Sequence, residues 1–378
     1  MWLQLIVVLA AIIIGARLGG IGLGVMGGLG LALLCFVFGL QPTAPPIDVM
    51  LMIVAVISAA SCMQAAGGLD YMVKLAERML RKHPSRVTLL SPLVTYLFTF
   101  VAGTGHIAYS VLPVIAEVAR ETKIRPERPL GIAVIASQQA ITASPISAAT
   151  VALLGMLAGF DISLFDILKI SVPATLIGVL VGDFCSMKVG KELEDDPEYQ
   201  RRLKEGVIEN RLVETASSFD VRKARISVGI FLLATFLIVL FGSVDALRPV
   251  FQSDGKNVPL DMPSIIEIVM LSTSALILLV CRIDGIKAVQ GSIFSAGMQA
   301  VVPLGIALSI SPWMLIALFP AVNGYFFIPN YPTVVAAINF DRTGTTRIGK
   351  YVLNHSFMMP GLVCTIVSIA VGLLLIWL

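Results

Sequence analysis

Apolar stretches separated by short polar loops recur along the chain from Leu3 to Leu378. A helix that crosses a lipid bilayer needs about 20 mostly apolar residues, and these stretches have that length. Since 57% of the residues are hydrophobic and only 13% are charged, the chain has more apolar side chains than one globular core can enclose. The pattern predicts an all-α polytopic membrane protein with about ten to twelve crossings.

The stretch from Asp70 to His83 differs because basic residues share it with apolar ones. The apolar positions are Met72, Leu75, Met79 and Leu80, and the basic positions are Lys74, Arg78, Arg81 and Lys82. Such a two-sided pattern is typical of a helix that lies in a membrane interface. We expect a helix on the inner membrane surface.

The positions of Lys and Arg predict the orientation of the crossings, because basic loops stay on the cytoplasmic side. Most of the 27 basic residues lie in six loops: Arg17 and residues 74–86, 120–128, 188–225, 282–287 and 342–350. Only Lys169, Arg248 and Lys256 lie between these loops. This distribution predicts a multi-pass protein of the bacterial inner (cytoplasmic) membrane with both termini in the periplasm.

One long hydrophilic region, residues 188–225, divides the chain into an N-terminal membrane half (1–187) and a C-terminal membrane half (226–378). It contains as many acidic as basic residues, which is typical of a solvated surface. Nothing in it has nucleotide-binding or metal-ligand spacing, and we expect no nucleic-acid partner. We interpret this region as a cytoplasmic linker.

The five cysteines are scattered through apolar segments without paired spacing. This argues against a disulfide framework or a zinc site, and we expect small core residues. Glycines near the N-terminus recur at four-residue steps, which would let membrane helices approach closely. They are Gly15, Gly19 or Gly20, Gly24 and Gly28.

Two motifs that suggest phosphate chemistry occur in the wrong context. Residues 22–27 match G-x-G-x-x-G, but they lie inside an apolar segment rather than after a strand of a soluble sheet. Residues 341–345 (Asp-Arg-Thr-Gly-Thr) resemble the phosphorylation loop of P-type ATPases, yet no large soluble domain follows them. We therefore expect no enzyme activity.

Helix-breaking and hydroxyl residues occur at membrane depth in residues 102–106, 143–147 and 328–333. Unpaired backbone groups are costly there unless they line a cavity or bind a ligand. The candidate substrate-binding residues are Gly103, Thr104, Gly105, His106, Ser144, Pro145, Ser147, Asn330, Pro332 and Thr333. A single proline can equally be a tolerated kink, and His106 can be a ligand, a proton carrier or a hydrogen-bonded turn residue.

These segments have the spacing of a repeated unit. Pro129 precedes Pro145 by sixteen residues, and Pro312 precedes Pro329 by seventeen. The preceding connection is highly charged in the first copy (120–129) and uncharged in the second (309–312), as expected if the copies have opposite orientations. Inverted repeats with broken helices near the midplane are typical of secondary transporters, and broken helices can bind an anion at their N-termini.

Five short segments make the chain resemble the anaerobic C4-dicarboxylate transporter (Dcu) family, nearest its DcuA type. They are Gly67-Gly68-Leu69-Asp70, Gly103-Thr104-Gly105-His106, Arg125-Pro126-Glu127-Arg128-Pro129, Ala143-Ser144-Pro145-Ile146-Ser147 and Gly344-Thr345-Thr346-Arg347-Ile348-Gly349. The resemblance covers nearly the whole chain. It implies uptake and exchange of fumarate, malate, aspartate and succinate across the bacterial inner membrane. No cofactor or ATP is implied.

The resemblance also implies re-entrant hairpins like those of ion-transporter-superfamily proteins, and a homodimer. The chain departs from the family at two places. Asn330 replaces a threonine, and Ala300 runs directly into Val301 where relatives have further membrane-spanning sequence, so the C-terminal half is shortened. The join leaves the downstream orientation unchanged if an even number of crossings is missing.

We carry two function hypotheses from different classes. The first is a C4-dicarboxylate exchanger that uses the candidate residues above and moves them between the membrane faces. The second is a transport-inactive, truncated relative that acts as the membrane partner of a dicarboxylate sensor kinase. A channel is less favoured because no ring-forming charged segment is evident.

Overall fold

The computed structural model describes residues 2–18, 22–41, 47–206, 208, 219–253, 256–283, 310–322, 324–327, 329, 331–349 and 353–377. Nine helices lie in the first half of this described part: α1 (Trp2–Leu18), α2 (Gly22–Phe36), α3 (Ile47–Ala65), α4 (Gly68–Lys82), α5 (Val87–Ala102), α6 (His106–Glu121), α7 (Glu127–Ala143), α8 (Ala148–Leu157) and α9 (Leu164–Ser186). Single 3-10 turns occur at Pro84–Arg86, Ala158–Phe160, Leu193–Asp195 and Asp245–Leu247.

The remaining described elements follow the hydrophilic region or lie within it. They are α10 (Pro197–Lys204), α11 (Val221–Ser243), β1 (Val250–Ser253), β2 (Lys256–Pro259), α12 (Met262–Cys281), α13 (Pro312–Val322), α14 (Pro332–Phe340) and α15 (Met358–Trp377). The two strands form an antiparallel hairpin in which Val250 pairs with Pro259. The sequence analysis did not predict this hairpin.

The described residues contain six helices that are long and apolar enough to cross a membrane, or seven if α3 and α4 form one bent span. The six are Pro84–Ala102, Glu127–Leu157, Leu164–Ser186, Val221–Ser243, Met262–Cys281 and Met358–Trp377. The all-α polytopic class is therefore confirmed. The expectation of ten to twelve crossings concerns the whole chain, and residues 284–309 lie outside the described part. Within that part, some apolar stretches form shorter helices, such as Pro312–Val322.

Helix α4 meets α3 at a bend of 69°, and Gly67 permits the bend with a φ of +81°. Met72 and Leu80 are buried where α4 packs against α6 and α11. Leu75 and Met79 remain exposed, at 41% and 38%. Only part of the apolar face that we expected on the membrane surface is therefore free to contact lipid.

The glycine steps near the N-terminus are only partly described. Gly15 lies in α1 and Gly24 and Gly28 lie in α2, while Gly19 and Gly20 lie outside the described residues. A Cβ on Gly28 would meet no atom within 4 Å. Gly30 instead approaches Ala11, at 3.1 Å between the added and existing Cβ positions. Among the cysteines, Cys62, Cys281 and Cys364 are buried as expected, but Cys185 is exposed.

Helices α9 and α15 form a close antiparallel pair at the centre of the fold. Gly178 lies against Ser368, and Gly182 lies against Cys364. A Cβ on Gly182 would stand only 2.3 Å from the Cys364 sulfur. Since the residue numbers rise along one helix while they fall along the other, the two helices run in opposite directions.

Helices α7 and α13, which precede α9 and α15 in the chain, also run in opposite directions. Gly131 of α7 lies beside Pro360, while Gln139 approaches Thr365 at 3.5 Å, so α7 runs parallel to α15. Helix α13 runs antiparallel to α15, because a Cβ on Gly372 would lie 3.1 Å from the Ala317 Cα and Gly361 abuts Phe326. The units α7–α9 and α13–α15 thus enter the bundle in opposite directions, as expected of an inverted repeat.

Candidate functional site

The turn between α5 and α6 is pressed against the interruption that follows α7. Gly103 has a φ of +67°, and a Cβ there would lie 2.9 Å from the carbonyl oxygen of Ile146. Both the backbone conformation and the lack of space favour glycine at this position. Gly105 precedes α6 and lies beside Ser137 of α7. The predicted segments 102–106 and 143–147 are therefore neighbours.

Serine hydroxyl groups form hydrogen bonds around the interruption between α7 and α8. The Ser144 hydroxyl donates to the Phe100 carbonyl at 2.7 Å, and the Ser147 hydroxyl donates to the Ile141 carbonyl at 2.6 Å. Ser147 also accepts a hydrogen bond from the Thr150 N–H at 3.1 Å, at the start of α8. With Pro145, these serines are buried. Ser147 thus satisfies backbone groups that the break frees, and Ser144 ties the break to the end of α5.

The third predicted segment begins α14. Pro332 is exposed at the first position of this helix, and Thr333 behind it is 2% exposed. The Thr333 hydroxyl has no hydrogen-bond partner among the described residues. Asn330 lies outside the described residues. A buried hydroxyl without a partner is costly, so a bound ligand is a natural acceptor or donor for it.

Aromatic rings connect α14 with the first turn of α6. The His106 and Tyr109 rings stack at 6.2 Å between centroids, and the Tyr325 and Tyr331 rings stack at 4.5 Å. The Tyr109 and Tyr331 phenols lie close enough to interact electrostatically. His106 itself is exposed, and Thr104 accepts a long hydrogen bond of 3.4 Å from its N–H.

Three helices therefore begin within one region: α6 at His106, α8 at Ala148 and α14 at Pro332. Helix N-termini present free N–H groups and a partial positive charge, so this arrangement suits an anion without a lysine or arginine. No group of three metal-ligating side chains occurs in the part of the chain that the structure describes. The chemistry available here is anion binding by N–H and hydroxyl groups.

The sequence analysis missed polar residues in the middle of α7 and α5. Ser137 accepts a hydrogen bond from Thr99 at 3.1 Å, directly beside the turn at Gly105. The Gln139 amide reaches the Pro320 carbonyl at 3.4 Å, which links α7 to the second unit. The sequence feature that could have identified them is the polar run Ser137 to Gln139 inside an otherwise apolar helix.

Helix α6 ends, α7 begins and α9 ends at one end of the bundle, which we call the basic end. A buried ionic cluster lies there, opposite to the interrupted segments. Arg125 contacts Glu127 at 2.6 Å and Asp196 at 2.5 Å. Burial alone would raise the pKa of Asp196, but hydrogen bonds from Arg125 and from the Tyr199 and Glu198 N–H groups lower it below its ordinary value. The cluster joins α7 to the start of α10.

Further contacts extend this cluster across the basic end. Glu127 accepts a hydrogen bond from the Ser356 hydroxyl at 2.6 Å. Arg128 donates to the Val189 carbonyl at 2.9 Å and to Glu192 at 3.0 Å. Arg202 of α10 donates to the Arg342 carbonyl at 3.1 Å. The described part of the hydrophilic region is thus bound to both repeat units.

Residues 341–346 form a loop around Asp341, which is 2% exposed. Its carboxylate accepts hydrogen bonds from the Thr345 hydroxyl at 2.8 Å and the Thr346 N–H at 2.6 Å, and also from the Thr343 N–H and hydroxyl. A carboxylate with these bonds is a structural group. The geometry agrees with the rejection of a phosphorylation loop.

A cavity of about 100 Å³ lies between the ends of α6 and α14 at the basic end. It is lined by Pro113, Ala116, Glu117, Arg120, Asn339, Phe340, Asp341, Arg342 and Thr343. Eleven residues separate His106 from Glu117, so the cavity lies about 16 Å along α6 from the interrupted segments. Helices α6 and α14 are parallel neighbours that extend from the interrupted segments to the cavity.

Interrupted helices that meet inside a polytopic bundle, in units of opposite direction, define the class of secondary membrane transporters. A sequence profile described as "Anaerobic c4-dicarboxylate membrane transporter" matches residues 1–302 and 300–378 of this chain. The chain belongs to this family, whose members are membrane transporters and not enzymes.

Individual relatives agree with the profile. The chain is 38% identical to the C4-dicarboxylate transporter DcuA of Escherichia coli (strain K12) over 431 positions, which cover 98% of each protein. It is 38% identical to DcuA of Wolinella succinogenes over 430 positions (98% of this chain, 97% of that protein). It is 37% identical to the anaerobic C4-dicarboxylate transporter DcuB of Escherichia coli O6:H1 over 438 positions (98% and 97%).

The alignments also show that the relatives have residues that this chain lacks. They extend over at least 430 positions, whereas the chain has 378 residues, so each relative has at least 52 residues (430 − 378) without a counterpart here. The two ranges matched by the profile meet at residues 300–302, where the sequence predicts the join between Ala300 and Val301. The join itself lies outside the described residues.

Proposed function

We propose that the protein exchanges C4-dicarboxylates, including fumarate, malate, aspartate and succinate, across the bacterial inner membrane. The observation that carries this proposal is the meeting of three helix N-termini beside the buried Thr333 hydroxyl, which has no hydrogen-bond partner among the described residues. A dicarboxylate has two anionic groups, and N–H groups at separate helix ends suit both without a buried cation. The names of the relatives support this substrate class.

The transport cycle would carry this site between the two membrane faces. The opposite directions of α7–α9 and α13–α15 support alternating access, because inverted units can exchange conformations around a fixed site. With both termini in the periplasm, the basic end faces the cytoplasm. The cavity between Glu117 and Arg342 would then be the cytoplasmic mouth, reached from the site along α6 and α14.

In this proposal the candidate residues have different roles. Gly103, Gly105 and Pro145 shape the interruptions, and Ser144 and Ser147 hold them closed. Thr333, His106 and the helix N-termini contact the carboxylates, with Thr104 and Pro332 at the margin. The site requires no cofactor. Membrane halves 1–187 and 226–378 would supply one unit each, in a monomer or a homodimer.

The test is exchange in proteoliposomes loaded with succinate. We expect external labelled fumarate or aspartate to enter only when internal succinate is present, while a monocarboxylate control does not enter. Stimulated entry of the monocarboxylate would overturn the substrate class. Entry that is independent of internal succinate would overturn exchange.

A second candidate function is favoured by the residues that relatives have and this chain lacks. If that stretch completes the substrate site, the chain is a transport-inactive relative and acts as the membrane partner of a dicarboxylate sensor kinase. Folded protein that shows no uptake, together with a chain deletion that changes dicarboxylate-dependent gene induction but not flux, would favour this function.

A further inference from the structure

Asp183 is a buried carboxylate in the last turns of α9. It is 0% exposed, and neither of its oxygens has a hydrogen-bond partner among the described residues. The other deeply buried acids differ: Asp341 accepts hydrogen bonds at both oxygens, and Asp196 binds Arg125. Asp183 is not used by the proposed substrate site.

The surroundings of Asp183 are tightly packed. At the preceding residue, Gly182, an added Cβ would meet the Cys364 sulfur of α15 at 2.3 Å and the Ile132 side chain of α7 at 3.1 Å. The Cys364 thiol is the titratable group that interacts with Asp183 electrostatically. No cation from these neighbours compensates a charge on the carboxylate.

The other helices that pack against α9 supply no hydrogen-bonded counter-charge to Asp183 among the described residues. Within the described chain, α8 and α13 have no titratable residue, and α7 has none after Arg128. Helix α5 has only Tyr96, which bonds Thr175 two turns away from Asp183. Helix α11 runs antiparallel to α9, because a Cβ on Gly242 would lie 3.5 Å from Leu164, so its basic residues 222–225 lie at the same end of the bundle as Asp183. None of them hydrogen-bonds to the Asp183 carboxylate.

An ionised carboxylate without a partner is strongly disfavoured in an apolar interior, whereas the neutral acid is tolerated. We propose that Asp183 is the site at which the carrier binds and releases a proton during dicarboxylate transport. This inference rests on the proposed function. In this proposal Asp183 is the neutral acid in the present conformation, and release converts it to a carboxylate and a proton that passes to water.

The route for the proton is short at the basic end. Asp183 precedes the end of α9 at Ser186 by one turn. The loop that follows is held by Arg128, which donates to the carbonyls of Val189 at 2.9 Å and Gly190 at 3.3 Å. Movement of this loop away from Arg128 would admit water to Asp183 from the cytoplasmic side.

The first test asks whether Asp183 holds a proton, and it needs no transport. Dicyclohexylcarbodiimide adds to protonated carboxyl groups in apolar surroundings: the acid proton passes to nitrogen, and the adduct rearranges to a stable N-acylurea. We expect mass spectrometry to find this adduct on the Asp183 peptide at neutral pH. It should be absent in Asp183→Asn and absent from the ion-paired Glu198. No adduct on Asp183 would overturn the inference.

The second test asks whether this proton is used in transport. The readout is the ratio of dicarboxylate uptake with and without an imposed pH gradient, because this ratio is independent of the amount of folded protein. We expect the gradient to accelerate uptake by the wild type and by Asp183→Glu, and to have no effect in Asp183→Asn. A merely structural role would lower both rates and leave the ratio unchanged.

An unchanged ratio in Asp183→Asn overturns the inference even if the adduct forms. A wild type that exchanges no dicarboxylate overturns the proposed function instead. A sodium gradient that replaces the pH gradient in accelerating wild-type uptake would overturn the assignment of a proton.

Discussion

Single hydroxyl groups at the candidate site differ in how they are bonded. Ser144 and Ser147 donate to the backbone carbonyls of Phe100 and Ile141, so they stabilise the interruption between α7 and α8. The Thr333 hydroxyl is equally buried but has no partner among the described residues. Their substitution should therefore separate folding from binding.

Thr333→Val removes the hydroxyl and keeps the shape of the side chain. A hydrogen bond to a charged group contributes about 1.5–3 kcal/mol, so dicarboxylate affinity should fall about ten- to hundredfold. Unfolding should change little, since no internal hydrogen bond is lost. The measurement is the concentration dependence of exchange in proteoliposomes.

Ser144→Ala is the matched comparison for Thr333→Val. It leaves the partly buried Phe100 carbonyl without its hydrogen bond from Ser144, and an unsatisfied buried group costs about 1–3 kcal/mol of stability. The melting temperature in detergent should fall. Unchanged dicarboxylate affinity in Thr333→Val would show that Thr333 does not contact the substrate.

The Arg125–Asp196 pair makes stability depend on pH. Because Arg125 lowers the pKa of Asp196 in the folded state, the pair stabilises the fold at pH values above the ordinary pKa of an aspartate. This contribution is lost as the pH falls through the lowered pKa. Thermal unfolding followed from neutral pH to about pH 3 should show an acid-induced loss of stability.

Asp196→Asn should remove much of that acid-induced loss and should destabilise the protein at neutral pH. The cost should stay below the about 3–5 kcal/mol of leaving a buried charge uncompensated, because Arg125 keeps its contact with Glu127. The exposed neighbour Asp195 provides the matched control, and Asp195→Asn should have little effect. Equal effects of the two substitutions would contradict the role of the pair.

Among the elements, the close pair α9–α15 depends on glycine. Gly182→Ala would place a methyl group 2.3 Å from the Cys364 sulfur, and overpacking of this kind costs about 1–3 kcal/mol. Gly229→Ala in α11 is the control, because a Cβ there would meet no atom within 4 Å. Melting temperatures in detergent should fall for Gly182→Ala only. An equal fall in both variants would contradict close packing at α9–α15.

The sequence predicted the interrupted helices better than the contacts inside them. Proline at Pro145 and glycine at Gly103 identify breaks, because each residue type has a local backbone effect. The acceptor of Ser144 lies 44 residues away, and no local pattern indicates such a partner. The hairpin of β1 and β2 was missed because two four-residue strands leave little periodicity to detect.

For the whole molecule, the composition and the apolar stretches were sufficient to predict a polytopic helical bundle, and five short motifs were sufficient to predict its family. Six helices of the described residues are long and apolar enough to cross a membrane, whereas residues 312–322 form an apolar helix of only 11 residues. Apolar character alone does not distinguish a crossing from a shorter helix inside the bundle. The unpartnered Asp183 also required the structure, because burial and partners depend on three-dimensional packing.

The attachment of α10 to both units has a consequence for how the polypeptide can be divided. Asp196 binds Arg125 of the first unit, and Arg202 binds the Arg342 carbonyl of the second, so noncovalent contacts already join the units at the basic end. A polypeptide cut between α10 and α11 should therefore reassemble when its two pieces are coexpressed. Copurification of an untagged C-terminal piece with a tagged N-terminal piece would test this, and Arg202→Ala should weaken the recovery. The gene for such a protein could be split in two without loss of the assembled bundle.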